Sequence, residues 1–301
     1  MAKTVNDDYP GNSKPMTDEQ LKAIATANYH SKGPNESIDK STKNEKQPET
    51  QVYQFPTEII ELPSKGKLYP KGHPLSNGTV EMKYMSAKEE DILTNQSFIR
   101  QGVVLDKLFK SLIVTPVEYN DLLLCDKNAI MIAARVLGYG KDYKIKLKNP
   151  NTGEDIEQNV DLTQLKERDI DWSLLEEGKN AFEFELPACK RTVTLQLLTQ
   201  RESAQIDKET KALQKLKKSA GTTTTLKHVI TSIDGDTDKQ KIRHFVEGNL
   251  LAIDARAIRQ YLNKITPDID LSVEVLDEST GDTFRSQINV GLDFFWPDLQ
   301  V

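Results

Sequence analysis

Asn149-Pro150-Asn151-Thr152-Gly153-Glu154 and, 128 residues later, Asp277-Glu278-Ser279-Thr280-Gly281-Asp282 decide how this chain is read. Each joins two strand-like runs. In each, two residues separate a small polar residue from Thr-Gly-acid, the spacing of a zinc knuckle, C-x-x-C-G, with both cysteines replaced. A structural zinc site needs about four Cys or His ligands within tetrahedral reach. Neither ribbon holds one, and His30, His73, His228 and His244 are scattered without paired spacing. The expectation is two degenerate zinc-ribbon-like hairpins with no metal and no cofactor. Asn149 and Asp277 suit turns in which a side-chain oxygen accepts a backbone N–H, with Thr152 and Thr280 as weaker acceptors.

Both turns have similar settings. The first follows an apolar helix, Ala129 to Leu137, and lies between strands Tyr143–Leu147 and Ile156–Leu162. The second follows a long helix ended by Pro267 and lies between Leu271–Leu276 and Thr283–Leu292. Two readings stand: an internal duplication of helix plus ribbon, or two unrelated hairpins that share the usual turn residues.

Further out, Glu58–Leu62 reads as a strand, and Thr79–Met85 alternates with period two as a half-buried strand does. Ser86 and Glu89 have capping-box spacing. Leu105, Leu108, Phe109 and Leu112 mark one face of a helix that Pro116 ends, and Asp126 is placed to cap the apolar helix. Phe182–Leu186 and Thr192–Leu197 form a hairpin, and a lysine-rich helix follows over Arg201 to Ser219. Gly221-Thr222-Thr223-Thr224-Thr225 reads as a breaker. After it, one long helix carries Ile242, Phe245, Leu250, Ile253, Ile258 and Ile265 on a single face. The fold class is α+β.

Residues 1–54 carry few aliphatic side chains and cannot offset their ordering entropy, so they are expected as a disordered N-terminal arm. Thr17 and Gln20 open one short helix there, which either docks on a partner or frays. The expected organisation is the arm, a helical and β region over 55–180 with the first ribbon, and a region over 181–301 with the hairpin, long helices and second ribbon.

Charged residues make up 29 % of the chain and the net charge is −6, both signs being mixed along it. No basic stripe suits a phosphate backbone, which makes a nucleic-acid-binding ribbon protein the third-ranked reading. There is no apolar run of about 18 residues to span a membrane, and the first residues lack the apolar stretch of a secretory signal. Cys125 and Cys189 fit reduced thiols of a cytosolic protein. Asp234, Asp236 and Asp238 imitate the start of a calcium loop, but Lys239 stands where glycine is needed and Phe245 where the bidentate Glu should be. No nucleophile elbow, P-loop or dinucleotide fingerprint occurs, so no catalytic residue is expected and the chain reads as a non-enzyme.

Asp254-Ala255-Arg256-Ala257-Ile258-Arg259 suggests an ion pair or an interface, and Arg135 in its apolar helix needs a carboxylate or carbonyl partner. Phe294-Phe295-Trp296 is an aromatic anchor for the core or for a subunit interface. Arg256, Arg259 and these three aromatics are the candidate interface residues.

Taken in order, seven segments resemble the baseplate hub protein family of T-even-type contractile-tailed bacteriophages. They are Leu62-Pro63-Ser64-Lys65-Gly66-Lys67-Leu68-Tyr69, Glu89 to Thr94, Asp126 to Ile130, Leu137 to Gly140, Asp254 to Arg259, Pro267 to Asp270 and Phe294 to Pro297. Many members carry C-P-x-C-G knuckles at both ribbons, where Asn149/Thr152 and Asp277/Thr280 stand here. The resemblance implies a structural subunit or assembly factor of the tail baseplate hub, acting through protein–protein contacts. Its partners would be other tail and hub proteins, its place the host-cell cytoplasm during assembly and the virion tail baseplate. The alternative it leaves is a transient chaperone of a tail protein such as the tape-measure protein, absent from the mature virion.

Overall fold

Alternating apolar residues place the strands. In the computed structural model, which describes residues 56–149, 153, 155–216, 221–276, 281 and 283–295, Thr57–Glu61 (β1) pairs antiparallel with Thr79–Lys83 (β2). Val80 and Met82 turn inward and are buried. The loop between them folds back on itself, with the Leu62 N–H donating to the Gly78 carbonyl at 2.8 Å. It buries Leu62, Leu68 and Leu75. The N-terminal arm and its short helix lie outside the described residues.

Three helices follow. Ala87–Thr94 (α1) opens on the capping box of Ser86 and Glu89. Gln96–Gln101 (α2) is capped by the Asn95 side chain and stopped by Gly102 at φ +71°. Val104–Leu112 (α3) buries Val104, Leu108, Phe109 and Leu112, one stripe of a helix. The chain then runs beside β2, where the Val114 N–H reaches the Glu81 carbonyl at 2.8 Å. Leu124–Tyr139 (α4) leads into the first ribbon, Asp142–Lys148 (β3) against Asp155–Asp161 (β4).

The second half repeats this order. Phe182–Glu185 (β5), Thr192–Leu195 (β6) and Ile230–Ile233 (β7) form a sheet in the order β5-β6-β7. Gln200–Lys215 (α5) opens on a second capping box, Thr199 with Glu202. Thr222–Val229 (α6) and Lys239–Gly248 (α7) follow, the latter capped by Asp238. Ala252–Ile265 (α8) leads into the second ribbon, Ser272–Leu276 (β8) against Thr283–Gln287 (β9). Hairpin, capped helix, long helix and ribbon recur in each half, so the repeat extends beyond helix plus ribbon.

Three expectations need correction. The threonine run is not a breaker: only Gly221 lies outside α6, and burial of Thr224, Leu226 and Val229 outweighs the low helix propensity of threonine. The single long helix is two helices. Gly248 and Asn249 end α7, the N–H groups of Asn249 and Leu250 both turn back to the Phe245 carbonyl, and Leu251 starts α8 afresh. Asp126 is not the cap of α4, which begins at Leu124.

The described residues fall within one compact unit. Its core is continuous across residue 180: the Leu124 N–H donates to the Leu198 carbonyl at 2.9 Å, and the Arg168 N–H to the Asp268 carbonyl at 2.8 Å.

Candidate functional site

Two buried aspartates hold the loops of the two halves. Asp126, the third residue of α4, is fully buried and accepts the Ser64 N–H at 2.9 Å, the Ser64 hydroxyl at 2.8 Å and the Tyr69 hydroxyl at 2.8 Å. The Tyr69 oxygen in turn accepts the Leu123 N–H at 3.1 Å. Burial pushes the Asp126 carboxyl up to about 6 against the pull of these hydrogen bonds, and burial likewise raises the Tyr69 hydroxyl. The helix start therefore fastens a loop 62 residues earlier in the chain.

Asp254, the third residue of α8, is also fully buried and accepts the N–H groups of Ala188 at 2.7 Å and Cys189 at 3.2 Å. The loops held are alike. Leu62-Pro63-Ser64-Lys65 follows β1, Leu186-Pro187-Ala188-Cys189-Lys190 follows β5, and the lysines adopt φ +52° and +55°. The Asp254 carboxylate is thereby committed to backbone donors, and Arg256 and Arg259 lie exposed on α8.

Glu89 is the third buried carboxylate. Burial pushes its carboxyl up, but Lys83 at 2.7 Å, Ser111 at 2.7 Å and Ser86 outweigh this and hold it at about 2. The pair of capping boxes fixes where each strand turns into its helix.

The ribbon turns are described in part. Asn149 is buried, and its carbonyl accepts the Gly153 N–H at 2.8 Å. Thr152, Asp277 and Thr280 lie outside the described residues. Among the described residues no group of three His, Cys, Asp or Glu is placed to hold a metal ion. The acidic loop is committed elsewhere: Asp234 pairs with Arg191, Asp236 with Lys241, and Asp238 caps α7. Burial pushes the Cys125 thiol well up. Arg135 finds its carbonyl partner in Gly140 at 3.2 Å and lies over the Tyr139 and Tyr143 rings.

Of the aromatic anchor, Phe294 and Phe295 are each 1 % exposed, and Phe294 packs against Tyr143 with centroids 4.8 Å apart. Their surface is taken up by the chain's own core, and Trp296 lies outside the described residues. An open groove of about 480 Å³ runs between the ribbons, lined by Asn159, Asp161, Lys166, Asp270, Glu274 and Arg285. At the start of α8 two large apolar side chains lie exposed close together in sequence, Leu251 at 51 % and Ile253 at 60 %, on the same helix as the exposed Arg256 and Arg259. Sequence reasoning placed Ile253 on a buried face and missed this patch. The signal was present in Leu-x-x-Asp at both Leu123 and Leu251, which marks a helix start instead of a helix middle.

No helix among the described residues is long and apolar enough to cross a membrane. No curated protein and no solved structure matches the chain. The family described as T4 bacteriophage base plate protein matches residues 55–296. The match covers most of the chain and takes in both buried-aspartate helices and both ribbons. The chain belongs to the T4 bacteriophage base plate protein family.

Proposed function

We propose that this protein acts in the central hub of the tail baseplate, as a structural subunit or an assembly factor, and that it works by protein contacts and not by catalysis. Membership of a base plate family implies contacts with other baseplate and tail proteins and association with the virion tail. The observation that carries the reading is the family match over residues 55–296. The arrangement of the buried carboxylates supports it. Asp126, Asp254 and Glu89 are each committed to fastening backbone or side chains of this chain, as a rigid presenting surface requires.

The test is electron microscopy of tails from cells infected with phage lacking this chain. Absent or defective hubs are expected, and normal baseplates would overturn the proposal. Mass spectrometry of purified virions then separates the two forms of the role, because a subunit is retained and a transient factor is lost.

A further inference from the structure

Each half of the chain builds the same helix start and the same strand-to-helix junction, yet the contact between such a pair is made once. In the first half, Leu122, Leu123 and Cys125 at the start of α4 are 1 %, 2 % and 5 % exposed. The β6–α5 junction of the second half covers them. The Leu124 N–H donates to the Leu198 carbonyl at 2.9 Å, the Gln200 N–H donates to the Leu122 carbonyl at 2.8 Å, and Leu123 bridges Thr199 antiparallel.

The counterpart start, Leu250-Leu251-Ala252-Ile253-Asp254, has the same local geometry. Leu123 and Leu251 precede their helices at φ −67°, ψ 140° and φ −71°, ψ 150°. Both helices carry the buried aspartate two residues further on from their first residue. Here, however, the apolar side chains of Leu251 and Ile253 face solvent.

The counterpart junction is also built. Tyr84-Met85-Ser86-Ala87 leaves β2 for α1 as Leu197-Leu198-Thr199-Gln200 leaves β6 for α5, each with its capping box. Leu197 is 6 % exposed and Tyr84 is 37 % exposed. Among the described residues no backbone hydrogen bond reaches the Met85 carbonyl or leaves the N–H groups of Ala87 and Ala252. Charges complement as well: α8 exposes Arg256 and Arg259, and α1 exposes Glu90 and Asp91.

We propose that the start of α8 docks on the β2–α1 junction of a second copy of this chain, repeating between molecules the contact made within one. The Ala252 N–H donates to the partner's backbone at the position of Met85, and the Leu250 carbonyl accepts from the position of Ala87. The two surfaces are different patches, so the contact is head-to-tail and leaves one of each free to add a further copy, closing a ring or growing open. The inference rests on the internal repeat and is independent of the hub reading.

The test uses the full chain. Sedimentation across a concentration series is expected to give masses above the 34.0 kDa monomer. Ile253→Glu alters an exposed residue, so the fold is kept, and losing its burial at the contact raises the dissociation constant about tenfold or more. A photo-crosslinker in place of Leu251 should capture Tyr84 to Ala87 of another molecule. A wild-type chain that stays monomeric overturns the proposal, as does an Ile253→Glu variant that associates like wild type. Capture of residues 1–54 of the same molecule does so too, because the arm would then be what covers the face.

Discussion

The Tyr69 hydroxyl donates to Asp126 at 2.8 Å while its oxygen accepts the Leu123 N–H at 3.1 Å, so one side chain ties the loop after β1 to the start of α4. The loop, the helix and the carboxylate are one unit. Asp126→Ala strands the Ser64 N–H, the Ser64 hydroxyl and the Tyr69 hydroxyl together. Buried donors left without partners cost about 1–3 kcal/mol each, and partial relaxation brings the sum to about 3 kcal/mol or more. Denaturant unfolding measures this; a loss below about 1 kcal/mol would show that the node does not hold the loop.

Asp254→Ala should act on the other half. It removes the acceptor of the Ala188 and Cys189 N–H groups, with a cost of about 1–3 kcal/mol. Hydrogen exchange is expected to accelerate at Ala188 and Cys189 and to stay unchanged at Ser64, which Asp126 holds. Equal acceleration at both loops would contradict two separate fastenings.

Acid stability separates two carboxylates by sign. Glu89, held at about 2 against an ordinary 4.5, adds stability that is complete above 4.5 and lost as pH falls through about 2. Asp126, raised from 3.8 to about 6, makes the folded chain take up a proton before the unfolded chain does. The proton-linked part of its contribution grows as pH falls from 6 to 3.8 and is lost as pH rises through 6, while the hydrogen bonds it accepts remain. Melting temperature against pH should therefore show a shallower acid fall in Glu89→Gln and no gain between pH 6 and 3.8 in Asp126→Asn. Profiles parallel to wild type would refute both assignments.

Two glycines of one loop should differ. At Gly66, φ +72°, a Cβ would overlap the Ser76 carbonyl oxygen and lie 2.5 Å from the Gly78 nitrogen. At Gly72, φ +85°, it would meet nothing within 4 Å. Gly72→Ala carries only the left-handed backbone cost of about 1–2 kcal/mol. Gly66→Ala adds a backbone clash and should lower the thermal midpoint clearly further. Equal midpoints would contradict the close loop packing.

The strands, capping boxes and ribbons were legible because each is written locally. Period-two runs such as Thr79–Met85 and the Ser86/Glu89 spacing carry their own instruction. What escaped depends on distant partners. Asp126 looked like a cap because a carboxylate near a helix start normally serves that helix; its donors sit on a loop 62 residues away. The threonine run of α6 becomes helical through burial of Thr224 and Leu226, which propensity does not encode. The apolar spacing of Ile242 to Ile265 suits one helix or two equally, and only the turn of Asn249 and Leu250 back to the Phe245 carbonyl decides between them. Exposure likewise depends on distant packing: Arg256 and Arg259 lie on the surface with Leu251 and Ile253, while Phe294 and Phe295 are buried in the core.

This chain is expected to work among baseplate proteins, and affinity capture of the tagged chain from infected cells, read by mass spectrometry, puts that role to the test. Tail baseplate hub proteins, enriched over an untagged control, are the expected partners. Capture of no tail protein would contradict the account.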